Sequence, residues 1–185
     1  MITRWLVGAL IVITPVSNTA HASSGDQQTT TTTTTNTVAL PTTTVLETVS
    51  FPVPKQSGKG RRVVYANQKQ RVWVISDDNE VIRTFLVSGM KGQPKRGSYT
   101  VFSQSTSSFS PELAGVTFRF MTRFALGRNG GNIGFHEIPL RNGKPMQTVE
   151  QLGTFLGSGC LRSSTADALF IYRWAKPGTR VVVVP

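Results

Sequence analysis

Arg61-Arg62-Val63-Val64-Tyr65-Ala66, Arg71-Val72-Trp73-Val74-Ile75-Ser76 and Val81-Ile82-Arg83-Thr84-Phe85-Leu86-Val87 are three short runs rich in β-branched and aromatic residues. Asn67-Gln68-Lys69-Gln70 separates the first pair and Asp77-Asp78-Asn79 the second, both of turn-forming composition. Runs of this length, broken by polar turns, predict a meander of antiparallel strands. Further on, Gly97 to Phe102 predicts another strand after the breaker-rich Gly92-Gln93-Pro94. Val116, Phe118 and Phe120 alternate with Thr117, Arg119 and Met121, the period of a half-buried strand. Val181 to Val184 predicts a strand buried on both faces.

Two helices interrupt this pattern. Thr148 with Gln151 three residues later has the form of a capping box, so a short helix is expected before Gly153. A second is expected from about Ser164, with Asp167 in its first turn and Pro177-Gly178 as its stop. Ala166, Leu169, Phe170 and Trp174 would form its apolar face. The fold class is therefore mainly β, a sandwich or meander with one or two packed helices.

The rest of the chain is organised differently. Arg4 precedes the apolar run Trp5 to Ile13, and Ala20-His21-Ala22 precedes Ser23. A charged start, a short apolar stretch and small residues at a cut site predict a signal peptide over residues 1–22, and hence export to periplasm, cell wall or medium. Membrane association would follow only if that segment stayed uncleaved. Residues 23–58 contain an unbroken Thr29–Thr35 run and Pro52-Val53-Pro54. Such a composition predicts a disordered linker, leaving residues 59–185 as the folded domain.

Composition excludes several classes. The 185 residues hold one Cys and two His, so no internal disulfide and no Cys/His zinc cluster can form. Neither metal nor cofactor is expected. The net charge of +11 predicts an acidic partner. Export disfavours nucleic acid as that partner, and Lys55, Lys59, Arg61 and Arg62 cluster where linker meets domain. A solvated basic face explains the same charge equally well.

Removal of the signal peptide would take His21 with it and leave Cys160 and His136. Cys160 lies in Gly157-Ser158-Gly159-Cys160-Leu161-Arg162, just ahead of the second expected helix. Flanking glycines permit a sharp turn and a close substrate approach. Backbone amides in such a turn can hold an oxyanion. The helix N-terminus and Arg162 would favour a thiolate. His136, at the end of the strand-like Asn132–Pro139 stretch, could take the thiol proton and return it to a leaving amine. A buried, inert Cys and a structural His are the alternatives.

His136 precedes Cys160, which argues against papain-like order, and sortases use a wider gap. The two motifs together resemble the L,D-transpeptidases, the YkuD-like catalytic domain. Gly134-Phe135-His136 and Gly157-Ser158-Gly159-Cys160-Leu161-Arg162 occupy that family's two signature positions, and the resemblance runs from about Arg61 to Pro185. It departs at Ser158 and Gly157, where the family usually has His preceded by Ser or Thr. The resemblance implies a cysteine acyltransferase of peptidoglycan biosynthesis that acts on stem peptides, with a role in cell shape. Cys160 would be the nucleophile and His136 the base. Ser158, Gly159 and Gly157 would form the oxyanion loop, and Arg162, Phe135 and Tyr99 would contact substrate. Release of D-Ala and a 3→3 cross-link would follow. An L,D-carboxypeptidase, a weakly active wall-binding relative and a sortase-like acyltransferase stay open as alternatives.

Overall fold

A computed structural model of the protein describes residues 51–185. The expected signal peptide and most of the expected linker lie outside the described residues. Among those described, no helix is long and apolar enough to cross a membrane.

The domain is built from two sheets and one helix. The first sheet contains β1 (Arg62–Ala66), β2 (Arg71–Ile75), β3 (Val81–Leu86), β4 (Gly97–Thr100) and β11 (Arg180–Val184), in the order β3-β2-β1-β11-β4. β1, β2 and β3 form the antiparallel meander read from the sequence. The chain's last strand, β11, then inserts between β1 and β4, parallel to the former. Both of its neighbours are strands, and its valines face cores on both sides of the sheet. This double burial explains a strand made of consecutive valines.

The second sheet contains β5 (Ser103–Phe109), β6 (Val116–Leu126), β7 (Asn132–Glu137), β8 (Leu140–Arg141), β9 (Lys144–Pro145) and β10 (Leu161–Ser163). Its order is β10-β7-β6-β8-β9, with β5 also paired to β6. The main core lies between the sheets, where Tyr65, Val72, Phe85, Phe124, Phe135 and Leu161 pack together. α1 (Thr165–Trp174) contributes Ile171 to this core.

Ser164 caps α1 as expected: its hydroxyl accepts from the Asp167 amide at 3.1 Å. The buried face differs from the expectation. Ala168, Ile171 and Ala175 are fully buried, while Ala166 is exposed. The apolar residues surround much of this helix, so only docking against the sheet selects a face. The helix expected at Thr148 is instead a series of turns. Half of its capping pattern does form, with the Thr148 amide donating to Gln151 Oε1 at 2.9 Å. Gly153 at φ +97° leaves no room for the helical turns that would have to follow.

β6 also departs from simple alternation. Phe120 has φ +58°, and beyond it Met121 and Thr122 are buried in succession. The strand's first half pairs with β8 and its second half with β7, so the break at Phe120 lets one strand serve two neighbours. The Ser/Thr-rich β5 has no apolar period to reveal it, and its strand exists through pairing with β6. Asn142 and Gly143, at φ +49° and +80°, form the tight turn between β8 and β9 that their sequence signals.

Packing begins before the expected domain boundary. The Trp73 indole donates to the Phe51 carbonyl at 2.8 Å, Val53 covers the outer core of the first sheet, and Ser57 is buried. Residues 51–58 thus belong to the domain's packed surface rather than to a linker. The expected basic cluster is partly consumed here as well. Arg62 is 4% exposed, and Arg61 stacks 3.8 Å over the Trp174 ring.

A buried polar cluster anchors the loop after β3. Gln70 Nε2 donates to the Tyr65 hydroxyl at 2.7 Å and to the Asn67 carbonyl at 2.6 Å, and Gln70 Oε1 accepts from the Gly89 amide at 2.5 Å. Gln70 is fully buried, so removing its amide strands several polar groups away from water. Gln70→Ala is expected to lower unfolding free energy by about 2–4 kcal/mol, measured by urea denaturation. A loss under about 0.5 kcal/mol would mean that water replaces the side chain.

Candidate active site

β10 lies parallel to β7, pairing Leu161 with Phe135, Arg162 with His136 and Ser163 with Glu137. Cys160 immediately precedes β10 and so falls level with Gly134. This one pairing brings together two motifs that are well separated in the chain. Both residues line a cleft of about 520 Å³. Ser158, Gly159 and Arg162 line it too.

His136 is 3% exposed. Its Nδ1 lies 2.5 Å from the Glu137 carbonyl oxygen. That oxygen can only accept, so Nδ1 carries the proton and Nε2 is left with a lone pair. Phe118 stacks on the imidazole at 4.2 Å between centroids, fixing its plane. Burial pushes the His136 pKa down to about 4, and Arg162 adds to this against the carbonyl contact and the Glu137 charge. The ring is therefore a neutral base at ordinary pH.

Glu137, facing the opposite side of β7, secures that strand. Arg119 grips its carboxylate with two side-chain bonds, Nε to Oε1 at 2.8 Å and Nη2 to Oε2 at 2.9 Å, while the Thr165 hydroxyl donates at 3.0 Å. Burial alone would push this carboxyl up, but those bonds together hold it below the usual carboxylate value.

Cys160 is half-buried, and its Sγ donates to the Asn132 carbonyl at 3.3 Å. Burial pushes the thiol pKa up, against the Gly134 amide and the positive charges of Arg123 and Arg162. The expected thiolate is thus not the ground state. The physical reason is twofold: desolvation outweighs the arginines, and the start of α1 lies beyond β10 with Ser164 capping it. The site holds a neutral thiol and a neutral imidazole.

The glycines are required by close packing. A Cβ on Gly157 would lie 2.6 Å from the Cys160 oxygen and 2.7 Å from the Ser88 oxygen. Gly157 itself does not line the cleft. Gly159 has φ +140°, and a Cβ there would lie 3.0 Å from Gln93 Nε2. Among the described residues, the Gly159 and Cys160 amides have no hydrogen-bond acceptor. Unpaired amides are the type of donor that a developing oxyanion requires.

Arg162 is 8% exposed and donates to Gln147 Oε1 at 3.3 Å, and Gln147 Nε2 in turn donates to Ser88 at 3.1 Å. Phe135 and Tyr99, expected to contact substrate, lie elsewhere. Phe135 is 1% exposed and stacks on Phe124 at 4.9 Å. Tyr99 meets Phe124 edge-on and donates its hydroxyl to the Lys95 carbonyl at 2.7 Å. In a strand, neighbouring residues face opposite sides, so Phe135 enters the core because His136 faces the cleft. Sequence reading missed Asn132, Phe118 and Arg123, which also line the cleft. The alternation of apolar and basic residues along β6 was the available signal, but it does not reveal which face meets a cavity.

The L,D-transpeptidase catalytic domain family (YkuD) matches residues 61–183, and the chain belongs to that family. Solved structures share the fold. An L,D-transpeptidase from Stackebrandtia nassauensis is 22% identical with TM-score 0.55, the match covering 75% of this chain and 62% of that one. One from Mycobacterium smegmatis is 21% identical with TM-score 0.55, covering 69% and 60%. One from Xylanimonas cellulosilytica is 19% identical with TM-score 0.53, covering 72% and 64%. This chain thus spans less than two thirds of each. No curated protein matches it.

Proposed function

We propose that the protein is an exported peptidoglycan L,D-transpeptidase that works through a Cys160 thioester. The observation that carries this reading is the placement of Cys160 and His136 on one cleft wall, with the imidazole Nε2 unprotonated. Cys160 Sγ attacks the carbonyl carbon of the third stem residue, a diamino acid, and its proton passes to His136 Nε2. The Gly159 and Cys160 amides hold the resulting oxyanion, and Ser158 at the cleft edge assists. On collapse the C–N bond breaks, and the leaving D-Ala amine takes the proton from His136. The side-chain amine of a second stem then attacks the thioester, giving a 3→3 cross-link and regenerating the thiol. Arg162 anchors the segment after Cys160 to Gln147 and, through it, to Ser88. Exposed Lys55 and Lys59 are the remaining candidates for contact with anionic wall polymers.

Mass spectrometry of the full chain with a disaccharide-tetrapeptide tests this reading. Loss of D-Ala with formation of a cross-linked dimer is expected, and Cys160→Ala is expected to abolish both. Tripeptide without dimer would make water the acceptor and the protein a carboxypeptidase. No turnover by folded protein would shift the reading to a wall-binding relative in which Ser158 has replaced a needed His.

A further inference from the structure

Three arginines line the cleft: Arg123, Arg128 and Arg162. They are not equivalent. Arg162 is nearly buried and tied to Gln147. Arg128 is on the exposed turn after β6, where its backbone amide donates to Gln93. Arg123 is half-buried on β6, across the strand pairing from Gly134, the residue level with Cys160.

The surroundings of Arg123 have the form of an anion receptor. Nη1 donates to Ser105 Oγ at 2.7 Å and Nη2 to Ser108 Oγ at 3.3 Å, both from β5. Two neutral hydroxyls thus fix the guanidinium without neutralising it. Among the described residues no carboxylate lies within 4.0 Å of it, since the ion pairs are Arg83–Asp167 and Arg119–Glu137. Glu112, a carboxylate also lining the cleft, makes no ion pair with it. An arginine offers five N–H donors in a planar fork, and these two bonds leave three. Its charge is felt at Cys160. A charged, tethered, partly desolvated fork beside a nucleophile is matched to a carboxylate close to the scissile bond.

We infer that Arg123 is a specificity-determining residue that binds the free terminal carboxylate of the residue leaving from the scissile bond. This inference rests on the acyl-transfer reading above and deepens it. A carboxylate one residue beyond the attacked carbonyl lies within about one Cα–Cα step of it, roughly 3.8 Å. Arg123 then restricts the enzyme to donor peptides that end one residue after the cut. A longer or amidated peptide would leave the fork desolvated and unpaired.

The test separates this assignment from the reaction itself. Binding of a stem tetrapeptide and of its C-terminal amide is measured calorimetrically with the full-length Cys160→Ala protein, where no turnover is needed. The acid is expected to bind about 10- to 100-fold more tightly than the amide, the range for a hydrogen bond to a charged group. In Cys160→Ala/Arg123→Gln that preference is expected to fall below about threefold, with Arg123→Lys restoring part of it. If Arg123→Gln fails to fold, Ser105→Ala with Ser108→Ala frees the fork while keeping its charge, and the preference is expected to shrink. An unchanged preference in the folded variants overturns the assignment, as does equal binding of acid and amide by the parent. Turnover with Cys160 present is scored separately. If D-Ala is released but the preference ignores Arg123, the transpeptidase reading stands and this one fails. If the preference depends on Arg123 without turnover, the receptor stands and the catalytic reading fails.

Discussion

His136→Asn is expected to reduce the rate of D-Ala release by about 10²- to 10⁴-fold, the usual contribution of a positioned general base. Asparagine can still place an N–H near the Glu137 carbonyl, so the variant is expected to fold. What it lacks is the unprotonated Nε2 that receives the thiol proton in the proposed mechanism. The loss should be large because burial raises the Cys160 pKa and so disfavours a thiolate formed without a base. In the parent protein kcat/KM should hold from neutral pH down to about pH 5 and fall only as the imidazole protonates, at about 4. Alkylation of Cys160 by iodoacetamide should be slow at neutral pH and accelerate only above the usual thiol range. A rapidly alkylated thiol at pH 6, or an unimpaired His136→Asn, would contradict the neutral-pair site.

The same burial links His136 to acid stability. Its pKa is about 4 folded against 6.5 for the free side chain. Between those values the unfolded chain binds more protons, so stability rises with pH there. The contribution is complete above about pH 6.5 and is lost as pH falls towards 4, on the order of 3 kcal/mol in all. His136→Asn should therefore flatten the acid limb of a stability profile.

Gly134→Ala is expected to cost more than about 4 kcal/mol or to prevent folding outright, read by circular dichroism and urea denaturation. An added Cβ would collide with the Thr122 carbonyl oxygen, and would lie 2.8 Å from its carbon and 3.0 Å from Arg123 Cα. All three are backbone atoms of β6, and no rotamer change can relieve them. The pairing of β6 with β7 shifts register between Arg123 and Ala125, and Gly134 sits opposite that shift. Opening it would displace His136 two residues along the strand. Gly131→Ala is the control, since a Cβ there meets nothing within 4 Å. Its stability is expected to stay within about 1 kcal/mol of the parent. Equal stability of the two variants would mean that β6 can give way, and that the strand pairing is softer than its geometry implies.

Much of this was legible in the linear chain. Val63, Val72 and Phe85 announced their strands through residue type, because β-branched and aromatic side chains fill a pleated surface well. Ser164 and Asp167 announced the start of α1 because a cap is a local arrangement, settled within four residues. Cys160 and His136 stood out because the chain offers one Cys and two His, and the order of their motifs pointed to the right family. The Thr148 pattern misled because a cap cannot carry a helix whose next turn contains Gly153 at positive φ. Phe135 and Tyr99 misled because an aromatic residue beside a motif carries no mark of the face it occupies.

Residue type and short-range order thus determined which segments are strands, where the helix begins, and which two side chains are the candidates for acyl chemistry. Only the tertiary structure decided the rest. The parallel pairing of β10 with β7 brings Cys160 and His136 to one cleft, and the break at Phe120 lets β6 reach two partners. Burial makes the thiol and imidazole neutral, and pairing with β5 turns Arg123 into a tethered charge. Each of these depends on groups far apart in the chain, and desolvation is a property of what surrounds a residue rather than of the residue itself.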